Sequence, residues 1–172
     1  MLYIIIGAES WLVYFSKESF MIRISRMADY ALLVVLKMCG RDELITLDSL
    51  CELTTLPLPT VRKLMRSLTH NNLVESVRGP HGGYKLSSQP DQISIAEVIE
   101  AIDGPIALTE CVKSDGGDCE LADTCGLQGN WNIVNRLISN ALHNVTLDAM
   151  GQEQMDVKRL KSALITVCDQ NE

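Results

Sequence analysis

Five residues, Gly79-Pro80-His81-Gly82-Gly83, constrain this chain more than any other feature. Three glycines and a proline in five positions continue neither a helix nor a sheet ladder, so they form a turn. Before them, Leu73-Val74-Glu75-Ser76-Val77 has the pattern of a strand; after them, Tyr84-Lys85-Leu86 resumes one. Two short strands around a glycine turn predict an antiparallel ribbon.

Three short helices are expected upstream. Ser25 is placed to cap a helix over residues 26–39, with Ala28, Leu32, Val35 and Leu36 at helical spacing and Gly40 at its C-terminal end. Thr46 begins a second helix over 47–53. Thr55-Leu56-Pro57-Leu58-Pro59 is a turn, with Pro59 expected at the first position of a third helix reaching about residue 71. That helix buries Val61, Leu64, Met65 and Leu68 and exposes Thr60, Arg62, Lys63 and Arg66. Asn71-Asn72 suits a left-handed ending. Three helices and a ribbon, with a short turn between the second and third helices, describe a winged helix-turn-helix.

Charge sharpens this reading. The 172-residue chain has a net charge of -7, which argues against nucleic acid only if the charge is evenly spread. Residues 21–88 hold nine basic and six acidic side chains, a balance of +3, whereas residues 89–172 hold five and fourteen, a balance of -9. Arg66 lies three to four residues after Arg62 and Lys63 on the third helix, where a recognition helix meets base edges and phosphates. Arg78, His81, Tyr84 and Lys85 surround the glycine turn, where a wing meets the backbone or minor groove. The expected partner is double-stranded DNA. No apolar run approaches the ~20 residues of a membrane span.

Beyond Pro90, Ser94 and Glu97 form a capping box for a helix ending at Asp103-Gly104-Pro105. Cys111, Cys119 and Cys125 then fall in a Gly- and Asp-rich stretch with the spacing C-x7-C-x5-C. Asp115, Asp118, Glu120 and Asp123 crowd that stretch and should keep it away from phosphate. Convergent thiolates suit an iron–sulfur cluster, with zinc, a thiol switch or inert cysteines as alternatives. Cys39 and Cys51 fall within helices and read as small buried hydrophobes. Cys168 has no evident partner.

A long helix is expected over residues 127–150. Leu127, Trp131, Val134, Ile138, Ala141 and Val145 step by 4, 3, 4, 3 and 4, the period of a coiled-coil seam. With little chain left to cover it, that seam implies a homodimer whose recognition helices stand about 34 Å apart. The chain thus divides into an extension (1–20), a winged helix-turn-helix (21–90), a linker helix with the cysteine segment (91–126), a dimerisation helix (127–150) and a tail (151–172). Residues 1–20 carry no basic n-region, and Met21 opens a natural start. They are read as a non-native or disordered extension from an upstream start assignment, with a real added helix or strand as the alternative.

Arg78-Gly79-Pro80-His81-Gly82-Gly83-Tyr84-Lys85-Leu86 resembles the wing signature of the IscR/NsrR-type winged-helix regulators, as does Met21-Ile22-Arg23-Ile24-Ser25. Asp29-Tyr30-Ala31, Pro59-Thr60-Val61, Gly104-Pro105-Ile106-Ala107-Leu108-Thr109-Glu110-Cys111 and Trp131-Asn132-Ile133-Val134-Asn135 resemble the SUF-system iron–sulfur assembly regulators within that group. The likeness spans about residues 21–150. It implies a cytoplasmic homodimeric repressor, not an enzyme, that senses a 2Fe-2S or 4Fe-4S cluster held by Cys111, Cys119 and Cys125. Other members respond to nitric oxide or iron, and an iron–sulfur or redox protein using its winged helix for protein contacts is a further alternative. IscR-like members place a histidine where this chain has Gln128, a poor iron ligand. NsrR-like members use a carboxylate from the partner's first helix, and Asp29 stands at the matching position. Its alternative role is to complement the helix dipole. Asn72 replaces the usual glycine before Leu73-Val74 and tolerates the same left-handed backbone.

Overall fold

Local capping signals set the first elements. In a computed structural model that describes residues 24–112 and 125–152, the Ser25 hydroxyl accepts from the Ala28 N–H and opens α1 (Arg26–Met38). Gly40, at φ +70°, carries the chain away from its end. Thr46 caps α2 (Leu47–Thr54) through the Ser49 N–H. The third helix, α3 (Leu58–His70), starts one residue earlier than expected, so Pro59 sits at its second position. The N–H of that position has no intrahelical acceptor either, so the proline is tolerated there too. Asn72, at φ +58°, turns the chain into β1 (Val74–Val77).

Strand β1 pairs antiparallel with β2 (Gly83–Leu86), with Val74 opposite Leu86 and Val77 opposite Gly83. Ile45 adds a third rung: its N–H donates to Tyr84 C=O and its C=O accepts from Tyr84 N–H, both at 2.9 Å. The ribbon is thereby pinned to the turn that precedes α2. The chain is mostly α-helical with a small β-wing, as the turn and helix signals predict.

The capping box forms at α4 (Ile95–Asp103): Ser94 Oγ accepts from Glu97 N–H, and the Glu97 carboxylate accepts from Ser94 N–H at 2.7 Å. Helix α4 packs along α1 and α3, closing a core of Ala28, Leu32 and Val35 with Leu50, Leu64, Leu68 and Val98. Ser25 also donates to the Asp103 carboxylate at 2.7 Å, joining the start of α1 to the end of α4. A single 3-10 turn, Glu110–Val112, leads into the cysteine segment.

The expected helix over 127–150 is two helices, α5 (Gln128–His143) and α6 (Leu147–Gly151). Between them the chain turns back onto the first module. Val145 C=O accepts from Ile95 N–H and Ile93 C=O accepts from Leu147 N–H, both at 2.8 Å, and Leu147 is fully buried. Val145 therefore belongs to the module's edge and not to a continuous seam. Thr146 supplies the reason, since its hydroxyl accepts from Ala149 N–H and starts a new helix. Cys39 and Cys51 are half-buried against the core instead of fully enclosed. Burial, together with the Asp148 carboxylate, pushes the Cys39 thiol up, which fits a structural cysteine. Among the described residues, no helix is long and apolar enough to cross a membrane. Residues 1–23, 113–124 and 153–172, which include the extension, Cys119, Cys168 and the tail, lie outside the description.

Candidate nucleic-acid interface and cysteine site

The apolar positions of α3 fix which side faces outward. Val61, Leu64, Met65 and Leu68 are buried, so Arg62, Lys63 and Arg66 are left exposed on the opposite face, with Thr60 half-buried in the first turn. None of the three cations forms an ion pair with a described residue. They border an open groove between α3 and the ribbon that is also lined by Thr69, His70, Ser76 and Tyr84. Thr69, His70 and Ser76 were not singled out in the sequence. The signal was present for one of them, because His70 follows Arg66 by four residues and shares its face.

The wing is built by close backbone approach. Gly79 takes φ +129°, and its C=O accepts from Gly82 N–H at 2.9 Å. A Cβ on Gly82 would overlap the Val77 carbonyl, and one on Gly83 would stand 2.8 Å from the Ile45 carbonyl. Only glycine lets the ribbon reach Ile45 without displacement. Gly83→Ala is accordingly expected to cost roughly 1–3 kcal/mol of stability by overpacking, measured by denaturant unfolding. A wild-type midpoint would refute that account of the wing.

Arg78 and His81 are exposed at the wing. Tyr84 is half-buried, its backbone bridging to Ile45 and its side chain lining the groove. Lys85 differs from the other cations: its Nζ lies 2.9 Å from Glu75 across the strands. An exposed pair of this kind is weak, so phosphate can compete for the lysine.

Two of the three cysteines of the Gly- and Asp-rich stretch, Cys111 and Cys125, are among the described residues. Cys111 lies in the 3-10 turn, half-buried, with its Sγ 3.2 Å from Thr109 Oγ1. Cys125, also half-buried, precedes α5 by three residues. Gln128 Nε2 donates to the Cys111 carbonyl at 3.3 Å, tying both ends of the cysteine segment to the start of α5. Gln128 thus braces the segment through its amide. Asp29 is exposed in the first turn of α1. Among the described residues, no three His, Cys, Asp or Glu side chains are grouped to hold a metal, and Cys119 lies outside them.

Helix α5 has no fully buried residue. Trp131, Ile133, Val134 and Leu137 are exposed, whereas Ile138 and Ala141 are half-buried. The apolar face is therefore rotated from the expected seam toward Ile133 and Leu137. The downstream residues Leu142 and Val145 pack against the core and draw the other side of the helix inward.

Residues 24–153 match the Rrf2 family, described as iron-dependent transcriptional regulators. The chain belongs to the Rrf2 family. Its relatives include the HTH-type transcriptional regulator IscR of Cronobacter sakazakii, 32% identical over 139 residues that cover 78% of this chain and 85% of that protein. IscR of Escherichia coli K12 is similar at the same identity and coverage. Among solved structures, CymR, the global cysteine regulator of B. subtilis, is 27% identical with a TM-score of 0.58, covering 76% of this chain and 96% of that one. IscR of T. potens, at 24% identity and a TM-score of 0.56 over 75% and 85% of the two chains, shares the fold. This Rrf2 protein is thus an IscR-like, DNA-binding transcriptional regulator of winged-helix type, and its relatives are regulators, not enzymes.

Proposed function

We propose that this Rrf2 protein is a cytoplasmic, iron–sulfur-cluster-sensing repressor that binds operator DNA as a homodimer and controls SUF-type cluster assembly genes. The observation that carries the reading is the Gln128 amide, which donates to the Cys111 carbonyl and so anchors the backbone of Cys111 at the start of α5, three residues after Cys125. Both thiols are half-buried soft donors of the kind that suits a cluster. Cys111, Cys119 and Cys125 of one protomer and Asp29 of the partner subunit would hold a 2Fe-2S or 4Fe-4S cluster. Such a group would supply an oxidation- and iron-sensitive link between the residues that hold it. A donor from the partner fits the position of Asp29, which is exposed on α1 and free to face another chain. The exposed apolar face of α5 supports the homodimer, because unpaired faces of this kind mark interfaces. Arg62, Lys63 and Arg66 would enter the major groove, with Thr60 at the start of the same helix. Arg78, His81, Tyr84 and Lys85 would hold the flanking phosphates.

Anaerobic purification followed by visible spectroscopy and iron and sulfide analysis tests the cluster. Coloured protein with matching iron and sulfide is expected, and Cys111→Ser or Cys125→Ser should lose the colour. Colourless, zinc-loaded wild-type protein refutes the reading. A colourless, metal-free protein whose DNA binding responds to thiol oxidation would replace the cluster by a thiol switch. Asp29→Ala with an unchanged spectrum would remove Asp29 from the ligand set.

A further inference from the structure

Asn135 spends its whole side-chain amide on one segment. Its Oδ1 accepts from Leu108 N–H and its Nδ2 donates to Ile106 C=O, both at 2.9 Å. A side chain thereby imitates one rung of a sheet and fastens residues 106–108 to the wall of α5. Cys111 follows three residues later. In the other direction the segment reaches Gly104, at φ +85°, a backbone state that only glycine takes at low cost. Before that joint lies α4, whose Ala101 C=O accepts from Ser67 Oγ at 2.7 Å and from Asn71 Nδ2 at 3.3 Å. Ser67 lies in α3, the helix that carries Arg62, Lys63 and Arg66, and Asn71 caps its C-terminal end.

We propose that Asn135 is the positioning residue that couples the cysteine segment to the recognition helix, an inference that rests on the cluster-sensing reading above. Coupling between two sites requires contacts that differ between two states and a connection that does not absorb the difference. Residues 105–109 hold no helix or strand. Left to themselves they would take up any displacement of Cys111 by local rotation. With 106–108 held at both a donor and an acceptor, a shift at Cys111 passes to the Gly104 joint, through α4, and to α3 through the Ala101 carbonyl. A merely structural amide would instead hold α5 to its module and weaken DNA binding equally in both states.

The ratio of DNA affinities in the two states separates these roles. Full-length protein is reconstituted anaerobically with iron and sulfide or stripped with a chelator. Each form is titrated by fluorescence anisotropy against a duplex selected by the wild-type protein from a randomised library. The wild-type ratio is expected to lie between about 5 and 150, and Asn135→Leu is expected to bring it below about 3 with iron and sulfide content unchanged. An Asn135→Leu ratio equal to the wild-type one overturns the coupling role alone, as does loss of iron and sulfide in that variant. A wild-type ratio of one overturns the sensor reading and the coupling with it. Should Asn135→Leu fail to fold by circular dichroism, Asn135→Asp decides. It keeps the acceptor for Leu108 and removes the donor to Ile106, so a lowered ratio supports the role and a wild-type ratio overturns it.

Discussion

Alanine at both Arg62 and Arg66 is expected to weaken operator binding about a hundredfold, at roughly 1–3 kcal/mol for each side chain. The two guanidinium groups lie four residues apart on the outward face of α3, and no described carboxylate neutralises either. Their removal leaves the core positions Val61, Leu64, Met65 and Leu68 untouched, so stability should change by no more than about 0.5 kcal/mol. Anisotropy titrations at several salt concentrations resolve what each arginine does. Losing a phosphate contact flattens the dependence of log affinity on log salt by about one unit and weakens all sequences alike. Losing a base contact relaxes the preference at one position of the duplex. Arg41 is the control. It is exposed, but its Nε donates to the Lys37 carbonyl at the end of α1, away from the groove. Arg41→Ala should bind like wild type, and equal losses in the two variants would remove α3 from the reading role.

Much of this face was legible because its signals are local. Ser25, the Ser94 and Glu97 pair and the left-handed Asn72 each act within one turn of chain, and each lies where the sequence places it. The four buried positions of α3 settle its polar face by geometry alone. The break between α5 and α6 was not anticipated. Val145 continues the 3.5-residue spacing, whereas Thr146 caps a new helix directly after it. What overrides the periodicity is non-local: the backbone of residues 145–147 pairs with 93–95, a contact no window along the sequence contains. Lys85 differs for the same kind of reason, since its proximity to Glu75 depends on strand register. Asn135 and Gln128 look like ordinary polar residues of a helix surface. Their importance appears only when the segment over 106–111 lies beside them.

Val134→Asp combined with Leu137→Asp is expected to convert the protein to monomers and to lower operator affinity by about a hundredfold or more, as the second half-site ceases to bind as a linked unit. Both side chains are more than two-fifths exposed in one protomer, at 41% and 46%, so aspartate there should not disturb the monomer fold. In the paired face each carboxylate would be desolvated opposite its own copy, a cost of several kcal/mol per charge. Sedimentation should report half the wild-type mass, with circular dichroism unchanged. Persistence of the dimer would show that α5 is not its interface. The salt dependence distinguishes this loss from that of the arginine pair. Alanine at Arg62 and Arg66 removes contacts from each half-site and leaves two half-sites engaged. Monomers lose one half-site entire, so their salt slope should fall to about half the wild-type value while sequence preference within the remaining half-site is kept. A regulator whose cluster takes Asp29 from the partner subunit should also lose that ligand in the same variant. Its visible absorbance would then decay faster in air than that of the arginine variant, which keeps the dimer intact.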